Sequence, residues 1–174
     1  MMNFISKGSF SREIPVEARS SQDEISMLTA SFQNLITMLR LGNNDYYRGD
    51  LELAVKNYSK AMEIFKIAEN KKGIGICANN LGNIHRIRGD YSSAEEAYLL
   101  AIKTALDMRS QELLSKRYNN IAQLYADSEN FDEAIEYFQR ATNMAVMLKD
   151  DSALALIHRN FGLLKHKMGD TENG

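Results

Sequence analysis

The chain has 174 residues, of which 44% are apolar and 25% are charged; these values are typical of a folded protein and exclude wholesale disorder. It carries 21 lysine and arginine residues against 23 aspartate and glutamate residues, so its net charge of -2 gives no general attraction to nucleic acid or to anionic lipid. The single cysteine cannot form a disulfide within the chain, which indicates a reducing compartment; the cytoplasm or the nucleus fits, and we predict a cytoplasmic location.

Residues 5–40 combine a short connector with an amphipathic segment. The connector contains one glycine, two apolar residues and the only proline of the chain: Gly8, Phe10, Ile14 and Pro15. After the acidic pair Asp23-Glu24, apolar residues follow at alternating spacings of three and four: Ile25, Leu28, Phe32, Leu35 and Leu39. Such spacing forms the seam of a parallel coiled coil, which predicts a homodimer through residues 25–39. The same stretch is too short and too polar to insert directly into a membrane.

This pattern resembles the second part of a HAMP module, the linker that relays signals inside membrane receptors. The resemblance implies a partial HAMP-like connector and helix over residues 1–40, in a chain that is either the cytoplasmic portion of a larger receptor or the carrier of a degenerate half-module. The alternative interpretation is an ordinary amphipathic helix that caps the repeats that follow it. Both interpretations predict one continuous helix from Asp23 to Tyr47, because no helix breaker other than Gly42 lies between them.

From residue 41 onward the sequence superimposes on itself at a shift of 40 residues without a gap. The copies begin at Leu41, Leu81, Ile121 and Phe161, and the last copy is truncated. Within a copy, apolar and small residues recur at helical spacing, and one pair of residues marks a tight turn. The turn pairs are Gly49-Asp50, Gly89-Asp90, Glu129-Asn130 and Gly169-Asp170. Each complete copy therefore predicts a hairpin of two helices.

The copies resemble the tetratricopeptide repeat, whose signature is a Leu-Gly pair on the first helix, followed by alanine, an aromatic residue and alanine on the second. The second-helix columns are Ala54, Ala94 and Ala134, then Tyr58, Tyr98 and Phe138, then Ala61, Ala101 and Ala141. The resemblance implies an all-α fold, an α-α superhelix or solenoid of helical hairpins. It implies an array over residues 35–174, with full repeats starting near 35, 75 and 115 and a terminal helix over 152–168.

One departure from the 34-residue form of this repeat explains the longer period. The proline that ends the second helix is replaced by Lys66, Leu106 and Val146, so the second helices can run on. The longer form is similar to the repeats of kinesin light chains, of polarity adaptors that bind G-protein alpha subunits, and of peptide-sensing response regulators of bacilli. That similarity implies a protein or peptide partner.

No group of residues in the sequence points to catalysis, to a metal or to a cofactor, so we expect no enzyme activity. His158 and His166 are eight residues apart, which does not match the i, i+4 pair of a helical metal site. His85 shares a repeat column with Tyr125 and is predicted to be a packed core residue. Cys77 is predicted to be a buried, inert thiol.

Two columns of side-chain amides recur in the repeats. They are Asn80, Asn120 and Asn160, and, three residues further along the same helices, Asn43, Asn83 and Gln123. The family resemblance implies that both columns line a concave groove, where an amide can donate to and accept from an extended peptide backbone. The alternative is that these amides form hydrogen bonds between helices.

The same resemblance places basic residues in the groove, opposed only by Asp127: Arg40, Arg86, Lys116, Arg159 and Lys167. Glutamates of the second helices would lie on the outer surface. The resulting hypothesis is a protein-interaction module that binds an extended acidic peptide within a signalling assembly. The alternative is a dimerising relay segment of a membrane receptor, with no peptide ligand of its own.

Overall fold

The computed structural model describes residues 16–172, which form helices joined by short turns. This part of the chain contains seven helices and no strand: α1 (Val16–Arg48), α2 (Leu51–Ile67), α3 (Lys71–Ile87), α4 (Tyr91–Asp107), α5 (Gln111–Asp127), α6 (Phe131–Leu148) and α7 (Asp151–Glu172). The predicted all-α superhelix of helical hairpins is confirmed. None of the described helices is both long enough and apolar enough to cross a bilayer.

Helix α1 is one uninterrupted helix of 33 residues, which confirms the predicted continuity from Asp23 to Tyr47. The chain divides into two units within this helix, after Ile36. In the first unit, the connector and the side chains of Ile25, Leu28 and Phe32 lie outside the described residues, so the HAMP-like linker and the coiled-coil seam stay predictions. In the second unit, Leu39 packs against the core cluster that contains Ala54 and Tyr58.

In the second unit, the signature glycines allow the two helices of a hairpin to approach each other. A Cβ added at Gly42 would lie 2.9 Å from the ring of Tyr58, and one added at Gly82 would lie 2.7 Å from the ring of Tyr98. Both tyrosines are almost completely buried, as is Phe138 in the third hairpin. The aromatic column therefore occupies space that a larger residue on the facing helix would remove.

The turns inside the hairpins depend on a left-handed residue followed by a polar N-cap. Gly49 has φ +82°, Gly89 has φ +76° and Glu129 has φ +64°. Glycine adopts this conformation without strain, whereas glutamate does so at some cost. The predicted fourth turn, at Gly169-Asp170, is wrong: α7 continues through this pair to Glu172. Gly169 has no left-handed backbone, and in the described residues no second helix follows that would hold a turn there.

The two side chains predicted to be inert core residues differ in outcome. Cys77 is completely buried as a free thiol, which confirms the predicted burial, and this burial raises its pKa to about 12. His85 is not a core residue, since a quarter of its side chain is exposed and its Nδ1 lies 3.3 Å from Oδ2 of Asp90. His85 lies beside the N-terminus of α4, the facing helix. There the Asp90 side chain accepts a hydrogen bond from the Ser93 N–H and caps the helix.

Candidate functional site

All of the predicted binding residues lie on the first helices of the hairpins and on α7. Arg40 and Asn43 belong to α1; Asn80, Asn83 and Arg86 to α3; Lys116, Asn120 and Gln123 to α5; Arg159 and Asn160 to α7. These four helices follow one another at the repeat period, so equivalent positions recur from one helix to the next. Hydrogen bonds and ion pairs between residues 41 apart in sequence directly join α3 to α5 and α5 to α7.

Two members of the first amide column hydrogen-bond to the preceding first helix. Asn120 Nδ2 donates to Asn79 Oδ1 at 2.8 Å, and Asn160 Nδ2 donates to Asn119 Oδ1 at 3.1 Å. We call these four residues the amide ladder. Sequence reasoning missed Asn79 and Asn119, although both stand in an Asn-Asn pair that recurs at the repeat period. The described contacts therefore give Asn120 and Asn160 a role in joining repeats.

The second amide column is held by the aromatic column. The Tyr58 hydroxyl donates to Asn43 Oδ1 at 2.5 Å, and the Tyr98 hydroxyl donates to Asn83 Oδ1 at 2.7 Å. Burial raises the pKa of both phenols to about 12, so both remain protonated donors at neutral pH. Within the described part of the chain, neither amide Nδ2 has a partner. Each of these asparagines thus keeps a free donor while its acceptor is occupied.

A small cavity of about 90 Å³ connects these groups at the junction of the first two hairpins. It is lined by Asn43, Tyr46, Tyr47, Tyr58, Asn80 and Asn83. Asn80 also accepts from Asn79 Nδ2 at 3.4 Å. Three of the predicted amides therefore lie around one opening.

The third hairpin departs from this arrangement. Gln123 faces Phe138, which has no hydroxyl, and its amide instead donates to the Asn119 carbonyl at 3.3 Å. Both side chains line a cavity of about 130 Å³ that also includes Asn160 and Lys167. Asn160 is only 8% exposed and is the most buried of the predicted amides.

The predicted balance of charge among the basic residues is wrong, because more carboxylates than Asp127 oppose them. Arg86 does pair with Asp127. However, Lys116 lies 2.7 Å from Glu112, one helical turn earlier, and Lys167 lies 3.6 Å from Glu129 in the turn after α5. Sequence reasoning overlooked these two glutamates because one precedes the groove columns on α5 and the other follows the helix.

The other two predicted cations are Arg40 and Arg159, and sequence reasoning missed a further cation on α5, Arg117. Arg40 and Arg159 are exposed, and neither forms an ion pair within the described part of the chain. Arg117 is only 5% exposed, and burial lowers its pKa. Its signal in the sequence is the Lys116-Arg117 pair, whose members point about 100° apart on a helix, so only one of them can face solvent fully.

The family comparison covers most of the region described above. A family model described as "Tetratricopeptide repeat" matches residues 34–107 and 114–173. The two matched segments include all of α2, α3, α4, α6 and α7, most of α5 and the C-terminal part of α1. Together they account for more than half of the chain.

Proposed function

Because the chain belongs to the tetratricopeptide repeat family, a family of protein-interaction scaffolds, we propose that it binds an extended, acidic segment of a partner protein. The binding surface consists of α1, α3, α5 and α7, and the complex forms part of a signalling assembly. A cytoplasmic location completes the proposal; it is supported by Cys77, the only cysteine in the sequence, which stays a free thiol.

The orientation of Asn43 and Asn83 is the observation that carries this proposal. A buried tyrosine hydroxyl occupies Oδ1 of each amide, so the Nδ2 donor of each is left for another acceptor. The backbone carbonyls of an extended peptide are acceptors at regular intervals. Two donors repeated at the same position of successive hairpins therefore suit a peptide main chain, independently of its sequence.

Charge supplies the selection for an acidic segment. Arg40 and Arg159 are exposed and have no ion pair in the described residues, so a ligand does not have to break an internal bond to reach them. Arg86 and Lys116 also contribute positive charge, but each first has to exchange an internal carboxylate for the ligand. Binding should weaken as salt rises, since exposed charges are screened beyond about 8 Å at physiological ionic strength.

The remaining predicted residues have supporting roles in the proposal. Asn80 lies at the same cavity as Asn43 and Asn83 and offers a further contact. Asn120 and Asn160 join the later first helices through internal hydrogen bonds, whereas the Gln123 amide donates within α5. The ligand therefore contacts chiefly the first two hairpins through amides.

The test measures fluorescence anisotropy with labelled extended peptides of acidic, neutral and basic composition. The double variant Asn43→Asp/Asn83→Asp keeps the acceptor of each tyrosine hydroxyl and removes the free amide donors. The matched control Gln139→Glu/Asn143→Asp adds the same charge at two exposed positions of α6. We expect the acidic peptides to bind best to the unmodified chain. Loss of the two donors should weaken the binding of acidic and neutral peptides about tenfold relative to the control.

Two outcomes would contradict the proposal. One is equal binding of peptides to the double variant and to its control, which would remove the amides from the binding surface. The other is equal binding of acidic and basic peptides, which would remove the charge selection. A thermal unfolding curve for each variant establishes that the compared proteins are folded.

A dimerising signal relay is the second candidate, and the continuity of α1 favours it. This helix runs from Val16 to Arg48 without a break, and its C-terminal part is the first helix of the first hairpin. Rotation of a coiled coil at its N-terminal end would therefore move the helix that carries Asn43. Light scattering tests the relay: a dimer that dissociates in the Ile25→Glu/Leu28→Glu variant supports it, whereas a monomeric unmodified chain would exclude the dimer.

A further inference from the structure

Helix α7 keeps the signature glycine of a first helix, but no second helix covers it in the described residues. A Cβ added at Gly82 of α3 would lie 2.7 Å from the Tyr98 ring of α4. A Cβ added at Gly162 of α7, two repeat periods later, would meet no atom within 4 Å. The space that receives an aromatic ring in the earlier hairpin is therefore open beside α7.

The positions around Gly162 are uncovered as well. Ala78 and Gly82 are buried on α3, whereas their repeat equivalents His158 and Gly162 are exposed on α7. Leu163, directly after the glycine, is 66% exposed. Helix α7 thus shows solvent a surface that lies between helices in the second hairpin. We call this surface the open face of α7; it consists of His158, Gly162, Leu163 and Lys165.

The third hairpin shows which residue of a second helix would lie against His158 and Lys165. Their repeat equivalents on α5 are Tyr118 and Tyr125. Both of these rings contact the ring of Tyr137 on α6, with centroid distances of 5.8 Å and 5.5 Å. Tyr137 stands directly before the aromatic column in the sequence. A residue at the same place in a helix on α7 would therefore lie between His158 and Lys165.

The charge of the open face indicates that this residue is acidic. The first hairpin already has a polar pair here, because Asn57 Nδ2 donates to Oδ2 of Asp45, the repeat equivalent of Lys165, at 2.8 Å. Neither His158 nor Lys165 forms an ion pair within the described part of the chain, and both are exposed. The Lys165 Nζ lies 4.9 Å from the centroid of the Phe161 ring, which keeps its charge close to the helix. A carboxylate between these two side chains is attracted, whereas a lysine is repelled.

Leu163 indicates that the aromatic residue of such a helix is phenylalanine. In the first two hairpins, a tyrosine hydroxyl donates to Asn43 or Asn83, the residue directly after the signature glycine. Leu163 holds this position on α7, and its side chain has no acceptor. A tyrosine would bury its hydroxyl there without a partner, while a phenylalanine would cover the exposed leucine.

We propose that the open face of α7 docks an amphipathic helix of a partner protein, which completes a fourth hairpin. This helix carries a phenylalanine directly preceded by aspartate or glutamate. Alanines lie four residues before and three residues after the phenylalanine, as Ala134 and Ala141 flank Phe138. The surface lies on the last helix of the array, away from the amides of Asn43 and Asn83, so the inference goes beyond the proposed function.

A second copy of this chain does not meet these requirements. The alanines and aromatic residues of its own second helices are buried inside its hairpins. Two α7 helices placed face to face would bring the Lys165 side chains of both copies together, and like charges repel.

The probe is a labelled peptide with the α6 sequence, Phe131–Leu148, in which Tyr137→Glu introduces the carboxylate. A side-chain cross-link on its outer face holds it helical, because an isolated helix of this length is marginal in water. One control peptide carries Tyr137→Lys instead, and another combines Tyr137→Glu with Phe138→Ala. We expect the first peptide to bind the full chain saturably in fluorescence anisotropy. Both controls should bind about tenfold more weakly.

Two protein variants locate the binding. Gly162→Leu fills the space for the phenylalanine and should weaken binding of the first peptide about tenfold or more. The matched control Lys103→Leu places the same side chain at an exposed position of α4 and should bind as the unmodified chain does. Lys165→Glu should reverse the charge preference, so that the Tyr137→Lys peptide binds better than the Tyr137→Glu peptide.

Thermal unfolding shows that the effect of Gly162→Leu is on docking. Because the added side chain meets no atom of the chain at its Cβ and leucine favours a helix over glycine, the melting temperature should not fall. A fall would mean that the free chain already covers this face, which would overturn the proposal.

Three binding results would also overturn the proposal: no saturable binding of the Tyr137→Glu peptide, equal binding by Gly162→Leu and Lys103→Leu, or an unchanged charge preference in Lys165→Glu. Light scattering adds a fourth. A dimer of the unmodified chain that dissociates in Gly162→Leu, but not in Ile25→Glu/Leu28→Glu, would assign the open face to a second copy instead of a partner helix.

Discussion

The hydroxyl of Tyr98 on α4 donates a 2.7 Å hydrogen bond to Oδ1 of Asn83 on α3. Tyr98 is completely buried against Gly82, whereas Asn83 is half-buried at the candidate groove. One residue of the repeat signature thus contributes to the core with its ring and fixes a groove side chain with its hydroxyl. The first hairpin repeats the arrangement with Tyr58 and Asn43 at 2.5 Å.

Removing this hydroxyl should affect both stability and binding. We expect Tyr98→Phe to lower the free energy of unfolding by about 1 kcal/mol, because one hydrogen bond is lost and water reaches the half-buried amide in its place. Because the Asn83 side chain is then no longer held by the Tyr98 hydroxyl, the variant should also bind acidic peptides more weakly. Urea denaturation and fluorescence anisotropy measure the two effects. The control is Tyr91→Phe, at an exposed position of the same helix; equal results for the two variants would contradict the prediction.

The third hairpin offers the opposite experiment. Phe138 and Gln123 line the same cavity, and a hydroxyl added to the ring would find an amide partner there. We therefore expect Phe138→Tyr to raise the free energy of unfolding by about 0.5–1.5 kcal/mol, the usual net value of one internal hydrogen bond. Differential scanning calorimetry measures the change. A lower melting temperature would show that the added hydroxyl stays without a partner.

The small residues of the second helices should not tolerate enlargement. Ala94 is completely buried in the core cluster that contains Tyr98 and Ile121. Ala94→Leu should therefore cost about 1–3 kcal/mol of stability through overpacking. Lys103→Leu introduces the same side chain at an exposed position of α4 and should cost much less. Equal urea midpoints for the two variants would show that the join between helices accommodates extra volume.

The amide ladder predicts which of two substitutions, Asn160→Ala or Asn120→Ala, lowers the stability of the fold more. Asn160→Ala leaves the acceptor of Asn119 without its donor, and Asn119 is only 3% exposed, so the expected loss is about 1–3 kcal/mol. Asn120→Ala leaves the half-buried Asn79, which water can reach, and should cost about 0.5–1.5 kcal/mol. Chemical denaturation of both variants gives the order. A larger loss for Asn120→Ala would mean that burial does not decide the cost.

Much of this fold follows from the sequence, because a 40-residue period with small and large residues in fixed columns has few helical solutions. The error at Gly169 has a local cause: glycine permits a left-handed turn but does not require one, and the facing helix decides. His85 illustrates the same limit. It shares a repeat position with Tyr125, yet its side chain lies beside Asp90 at the N-terminus of α4.

The candidate site was predictable in position but not in its bonding. The amide columns lie on the first helices, as the family resemblance implied, yet their partners depend on how each helix is rotated against the next. No spacing within one helix indicates that Asn120 meets Asn79, or that Arg117 turns inward while Lys116 stays exposed. Such contacts are fixed by tertiary packing, which a single sequence specifies only indirectly.

The hydrogen bonds of the amide ladder join residues 41 positions apart, whereas the repeat has a period of 40. Each bond therefore links one column to the adjacent column of the next unit, and a copied unit carries both halves of the joint. Duplication of residues 111–150 would supply a new Asn120 for the original Asn119 and a new Asn119 for Asn160. The chain could thus lengthen by whole units, during evolution or by engineering, without the invention of a single new contact in this ladder.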